Sequence, residues 1–101
     1  MIPRSFKTAG GKTILVVTQN KIDYKDGQTI YGEYIDAADT IKIADIVEID
    51  GVEYVQSEES KERTFLHELY HVFQFYSGKE YDEQQAQIFS NFMYEYLHNQ
   101  K

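Results

Sequence analysis

The chain has 101 residues and a formal charge of −7, from 17 acidic and 10 basic side chains. A single domain of this size buries a limited share of its surface, and its acidity disfavours contact with a phosphate backbone. With no cysteine, disulfides and thiolate metal sites are excluded, so any metal must be held by His, Asp or Glu. The opening "MIPRSFKTAGGK" has no apolar signal core, and no run is long enough to span a membrane. The expectation is one domain over residues 1–101, in the cytoplasm, with neither a nucleic-acid nor a membrane partner.

In chain order, "GGKTILVVTQN" reads as a strand led in by the Gly10-Gly11 turn, with an apolar, β-branched run at 14–17. "KIDYKDGQT" is a polar connection turning at Asp26-Gly27. "YGEYIDAADTIKIAD" reads as a hairpin with arms at 31–35 and 40–44 around a loop at 36–39. The alternation in Ile41-Lys42-Ile43 suits a half-buried strand. "IVEIDGVEYV" is a second hairpin, turning at Asp50-Gly51.

From Ser57 the apolar period becomes helical. Ser57 is a cap, Glu58 and Glu59 suit the positive end of the helix dipole, and Gly78 is a stop. Leu66, Leu69, Tyr70, Phe73 and Tyr76 cover one face, and Phe65, Val72 and Phe75 widen it, so most of this helix is expected to be buried. A second helix starts near Asp82 and runs to about His98, with an apolar stripe of Ala86, Phe89, Phe92, Met93, Tyr96 and Leu97. Ten of the fifteen aromatics lie beyond residue 64, which weights the core toward these helices. Strands followed by helices read as α+β: a small twisted, mainly antiparallel sheet packed on two C-terminal helices.

The first helix contains His67-Glu68-Leu69-Tyr70-His71, the pattern H-E-x-x-H. Side chains four apart project to one side of a helix, so two imidazoles can converge on one tetrahedral zinc ion. Glu68 points about 100° around the helix from His67, where it can serve as base toward water activated by the zinc. That combination is what amide hydrolysis needs. The bland alternative, two unrelated histidines on an apolar helix, leaves imidazoles and a carboxylate paying for desolvation without partners. For the third ligand there are two candidates, Glu83 and His98. They lie fifteen residues apart, about 22 Å along a helix, so they cannot serve one metal together. Glu83 follows a short turn that brings it back over the histidines, and Ala86 lets the helices approach. His98 reads more simply as a solvated residue near a terminus.

The segment "HELYH", twelve residues from His71 to Glu83, and then "EQQAQIFS" resembles the gluzincins of the ImmA/IrrE type, whose second helix carries E-x-x-A-x-x-F-A. Glu83, Ala86 and Phe89 match, with Ser90 in the last small position. The likeness covers roughly residues 31–98. It implies a minimal zincin-like fold, Zn2+ at His67, His71 and Glu83, and Glu68 as base. It also implies cleavage of an intracellular regulatory protein, such as a transcriptional repressor of a phage or mobile element. Three features depart from the family: there is no helix-turn-helix, the Asp50-Gly51 hairpin is an insertion, and Gln87 stands where thermolysin-like gluzincins carry an acid that orients a histidine. Tyr31, Tyr34, Tyr70 and Tyr81 are all candidates for stabilising an oxyanion, and packing is a sufficient reason for each. The substrate is expected to add as an extended strand along Ile41, Lys42, Ile43 and Ala44, through a free edge beside the active helix. Two further readings compete with the peptidase. One is a catalytically silent binding module stapled by the metal, which leaves Glu68 without a purpose. The other is an acidic inhibitor of a nucleic-acid-binding protein.

Overall fold

The computed structural model describes residues 2–99. In chain order the elements are β1 (Ser5–Lys7), β2 (Thr13–Gln19), β3 (Ile22–Asp23), β4 (Thr29–Ile30), β5 (Gly32–Ile35), β6 (Thr40–Ala44), β7 (Ile46–Ile49), β8 (Val52–Val55), α1 (Glu58–Tyr76) and α2 (Glu83–His98). The fold is α+β, with the strands first and the two helices last. The main sheet has four strands in the order β1-β2-β6-β5. β1 runs antiparallel to β2 and β5 antiparallel to β6, whereas β2 and β6 are parallel. Two small hairpins, β3–β4 and β7–β8, stand apart from it.

Alternation decides which face of the sheet is inside. Ile14 and Val16 are buried, while Leu15 and Val17 on the same strand are 49% and 40% exposed, so the apolar run at 14–17 covers one face only. The inner face, Ile14, Val16, Tyr34, Ile41 and Ile43, packs against Phe65, Leu66 and Val72 of α1. A second, smaller cluster of Ile22, Ala44 and Val47 lies under the hairpins. Asp26, Asp39 and Asp50, each in the left-handed region, make the tight turns among the strands.

Gln56 ties the sheet to α1. Its side-chain amide donates to the carbonyls of Tyr31 (3.2 Å) and Ala44 (2.7 Å), and its oxygen accepts from Ser60 Oγ (2.6 Å) and Thr64 Oγ1 (3.1 Å). Ser57 caps α1 by accepting from the Ser60 amide, and Asp82 caps α2 by accepting from the Gln85 amide. Gly78, at φ 70°, closes α1.

Three sequence expectations are corrected. Residues 41–44 do not offer a free edge: β6 is paired on both sides, with β2 and with β5, so Ile41, Lys42, Ile43 and Ala44 cannot receive an added strand. The parallel partner was invisible because β2 lies far upstream; the edges of the sheet are β1 and β5, and β5 is the one next to β6. The inward stripe of α1 is rotated from the expected one: Phe65, Leu66 and Val72 are buried, Leu69 and Tyr70 are half-buried, and Phe73, Phe75 and Tyr76 are exposed. On α2 the buried residues are Ala86 and Ser90, while Phe92, Tyr96 and Leu97 face outward. Small residues face α1 and let the helices close together, and among the described residues no further layer covers the large ones.

Candidate functional site

α1 carries His67, Glu68 and His71, and α2 presents Glu83 as its first residue. The His67 and His71 rings stand 4.9 Å apart between centroids. The Nε2 atom of His67 lies 2.7 Å from Glu83 Oε1, and that of His71 lies 3.1 Å from the same carboxylate. One ligand atom from each of the three residues falls within 4.8 Å of the others. Among the described residues this is the only such group of His, Asp and Glu side chains.

Both imidazoles are held from behind. His71 Nδ1 is 2.9 Å from Gln74 Oε1, and His67 Nδ1 is 3.2 Å from Gln87 Oε1. The same Gln74 oxygen accepts the backbone N–H of Asp82 at 3.3 Å. A backbone amide can only donate, so the Gln74 atom facing it is the oxygen and His71 Nδ1 carries a proton. That leaves the Nε2 atom pointing at Glu83. Side-chain amides thus hold the far side of both rings. Gln87, at the position where an acid was expected, does the holding.

Glu68 is 7% exposed and shares a cleft of about 530 Å³ with His67 and Glu83. Burial pushes its carboxyl up to about 7; positive charge on His67 and His71 works against this, and Glu83 and Glu33 add to it. Glu83 is held below the usual carboxylate range: burial opposes its ionisation, but hydrogen bonds with His67 and His71 prevail. Two acids facing one cleft are therefore driven apart, one toward the proton-accepting range near neutrality and the other firmly ionised.

The opposite wall of the cleft includes Ile30, Tyr31 and Gly32. Gly32 is required there, because a Cβ would sit 2.5 Å from Thr64 Cγ2 and 2.9 Å from the Lys42 carbonyl. Its absence lets β5 lie close against α1 beside Glu68. The amide of Ala44 bonds the Tyr31 carbonyl. By antiparallel alternation, Gly32 and Tyr34 then turn their N–H and C=O groups to the open edge.

Of the four tyrosines considered, Tyr31 lines the cleft. Tyr34 donates to Asp39 at 3.3 Å, and the Tyr70 ring lies tilted against those of Phe73 and Phe89. Tyr81 lies against the His71 ring, 4.9 Å between centroids, and donates to Asp36 Oδ2 at 3.0 Å. Its hydroxyl is pushed up to about 12, first by burial and then by the Asp36 hydrogen bond. His98 is remote from the cluster; it is 2.9 Å from Glu62 Oε2 and stacks on Tyr94. Gln74 and Asp36 gave no signal in the sequence. The spacing of three from His71 to Gln74 is the trace that, looked for on a helix, would have found the first.

The residues fit a divalent metal by the chemistry of the donor set: two imidazole nitrogens whose far sides are fixed and an ionised carboxylate, with no thiolate, the combination zinc accepts. No protein-family model, curated protein or solved structure matches this chain. Among the described residues, no helix is long and apolar enough to cross a membrane.

Proposed function

We propose that this chain is a zinc-dependent peptidase of the gluzincin kind, in which His67, His71 and Glu83 hold the ion and Glu68 is the base. The observation that carries the reading is the convergence of both Nε2 atoms on the Glu83 carboxylate, with buried Glu68 facing the same cleft. A zinc ion held by these three residues would supply Lewis acidity toward a carbonyl and a bound water. Glu68, buried and facing the same cleft, would take a proton from water there and return it to the leaving amine. The substrate lies extended along the open edge of β5, where the backbone of Gly32 offers strand-type hydrogen bonds next to Glu68. The likeness to the ImmA/IrrE type supports a repressor-like regulatory protein as that substrate, and a cytoplasmic setting.

The test compares wild-type protein with Glu68→Gln, both zinc-loaded and at matched concentration, by labelling new N-termini in a cell extract. Wild type should generate defined new termini, and the variant should generate them 10²–10⁴-fold more slowly. Equal cleavage by the two would refute the assignment of Glu68. A second reading, a metal-stapled binding module, draws on the way Glu83 ties α2 to α1. It predicts zinc binding by both proteins and cleavage by neither.

A further inference from the structure

Glu83 is an exposed side chain at the very start of a helix, where chain ends fray, yet it must stand at a fixed point over two rings on another helix. Its own contacts with the imidazoles do not explain how the entrance of α2 is held. Residues 79–82 are exposed, and among them the Lys79 amide bonds the Gln74 carbonyl at 2.9 Å and the Asp82 amide the Gln74 side chain at 3.3 Å, so both bonds run back to α1 and neither reaches the sheet.

Tyr81 supplies an anchor on the other side, to the turn between β5 and β6. It precedes Glu83 by two residues, so wherever Tyr81 is fixed, the Glu83 Cα stays within about two Cα steps of 3.8 Å of it. Its ring packs on His71, and its hydroxyl reaches Asp36, in the turn between β5 and β6. That turn is itself a firm point. Asp39, three residues on, accepts hydroxyls from Tyr34 of β5 and Tyr76 at the end of α1. One aromatic side chain thus spans from the entrance of α2, across the buried histidine, to the sheet.

We propose that Tyr81 is a positioning residue. Packed against the His71 ring and tethered through its hydroxyl to Asp36, it fixes the entrance of α2 so that the Glu83 carboxylate stands over both imidazoles. The purpose of that placement rests on the metal-site reading above; the placement itself does not.

The test uses Tyr81→Phe, which keeps the ring and loses the hydroxyl, together with Asp36→Ala, the double variant and Asp36→Asn, which keeps an acceptor oxygen. In metal-free protein, nuclear Overhauser contacts between the Glu83 side chain and the His67 and His71 rings should be present in wild type and in Asp36→Asn. They should be lost in Tyr81→Phe and in Asp36→Ala. Cobalt(II), titrated as the probe, should bind those two variants 10–100-fold more weakly. Its visible spectrum should approach that of Glu83→Ala, a signature that a loss of overall stability would not produce. The double variant should be no worse than either single, because both remove one bond. Retained Glu83–imidazole contacts in Tyr81→Phe, or additive losses in the double, would overturn the proposal. Wild type that shows the contacts but takes up no cobalt would sink the metal reading, and the contacts would still decide the role of Tyr81.

Discussion

Replacing Glu68 with glutamine should stabilise the metal-free protein at alkaline pH and leave it unchanged in acid. Glu68 is almost wholly buried, and its carboxyl titrates near 7 in the folded chain against 4.5 in an unfolded one. The folded state therefore binds the proton more tightly than the unfolded state does. The protonated carboxyl contributes its full stability below about 4.5, and that contribution is lost as the pH rises to about 7. At about 1.4 kcal/mol per pH unit, the loss across this window is about 3 kcal/mol. Glutamine has nearly the same shape and nothing to ionise, so it escapes the loss. Urea denaturation with a chelator present, at steps from pH 4 to 8.5, should give coincident stabilities at pH 4 and a gap opening to about 3 kcal/mol in favour of the variant by pH 8. A gap that does not change with pH, or a variant that is the weaker at pH 8, would refute the assignment of the burial cost to this carboxyl. With zinc added the gap should shrink, because a nearby cation favours the ionised form.

Three further outcomes follow from the packing. Gly32→Ala should cost about 1–3 kcal/mol by denaturation, since the new methyl meets Thr64 and the Lys42 carbonyl; adding Thr64→Ser should recover part of the loss, and strictly additive effects would show that the two do not touch. Gln56→Leu should cost about 1–3 kcal/mol and speed hydrogen exchange of the Ala44 amide, by stranding the carbonyls of Tyr31 and Ala44; unchanged exchange would count against its role as a tie. Zinc at a hundredfold excess over its dissociation constant should stabilise the wild-type protein by about 2.7 kcal/mol, with Glu83→Ala gaining far less; no shift in the melting temperature of wild type would refute the metal site.

Much of the strand and helix order was legible because local chemistry wrote it. Asp50-Gly51, Asp36 to Asp39, Ser57, Gly78 and Asp82 mark turns and caps through their own backbones and side chains. Glu83 was legible as the partner of the histidines because a short connection limits where the chain can return. What escaped depends on distant partners. Ser5–Lys7, Ile22–Asp23 and Thr29–Ile30 are too short to show a period and exist as strands only through pairing. The interior place of β6 depends on a parallel neighbour that no hairpin rule supplies. The apolar stripes gave the helices but not their rotation, because Phe73, Phe92 and Tyr96 look like core until the helices are seen to meet through Ala86 and Ser90.

His67 and Glu83 are sixteen residues apart, and every ligand atom of the cluster sits on the α1–α2 hairpin. The sheet, in contrast, is closed by β2 meeting β6 across the whole intervening chain. Local contacts form early in folding and long-range parallel pairs form late. The helical hairpin can therefore gather His67, His71 and Glu83 before the sheet has closed, whereas the cleft wall at Gly32 exists only afterwards. If the cluster holds an ion as proposed, refolding of the full chain would let that ion meet its ligands before the cleft that would take a peptide has formed.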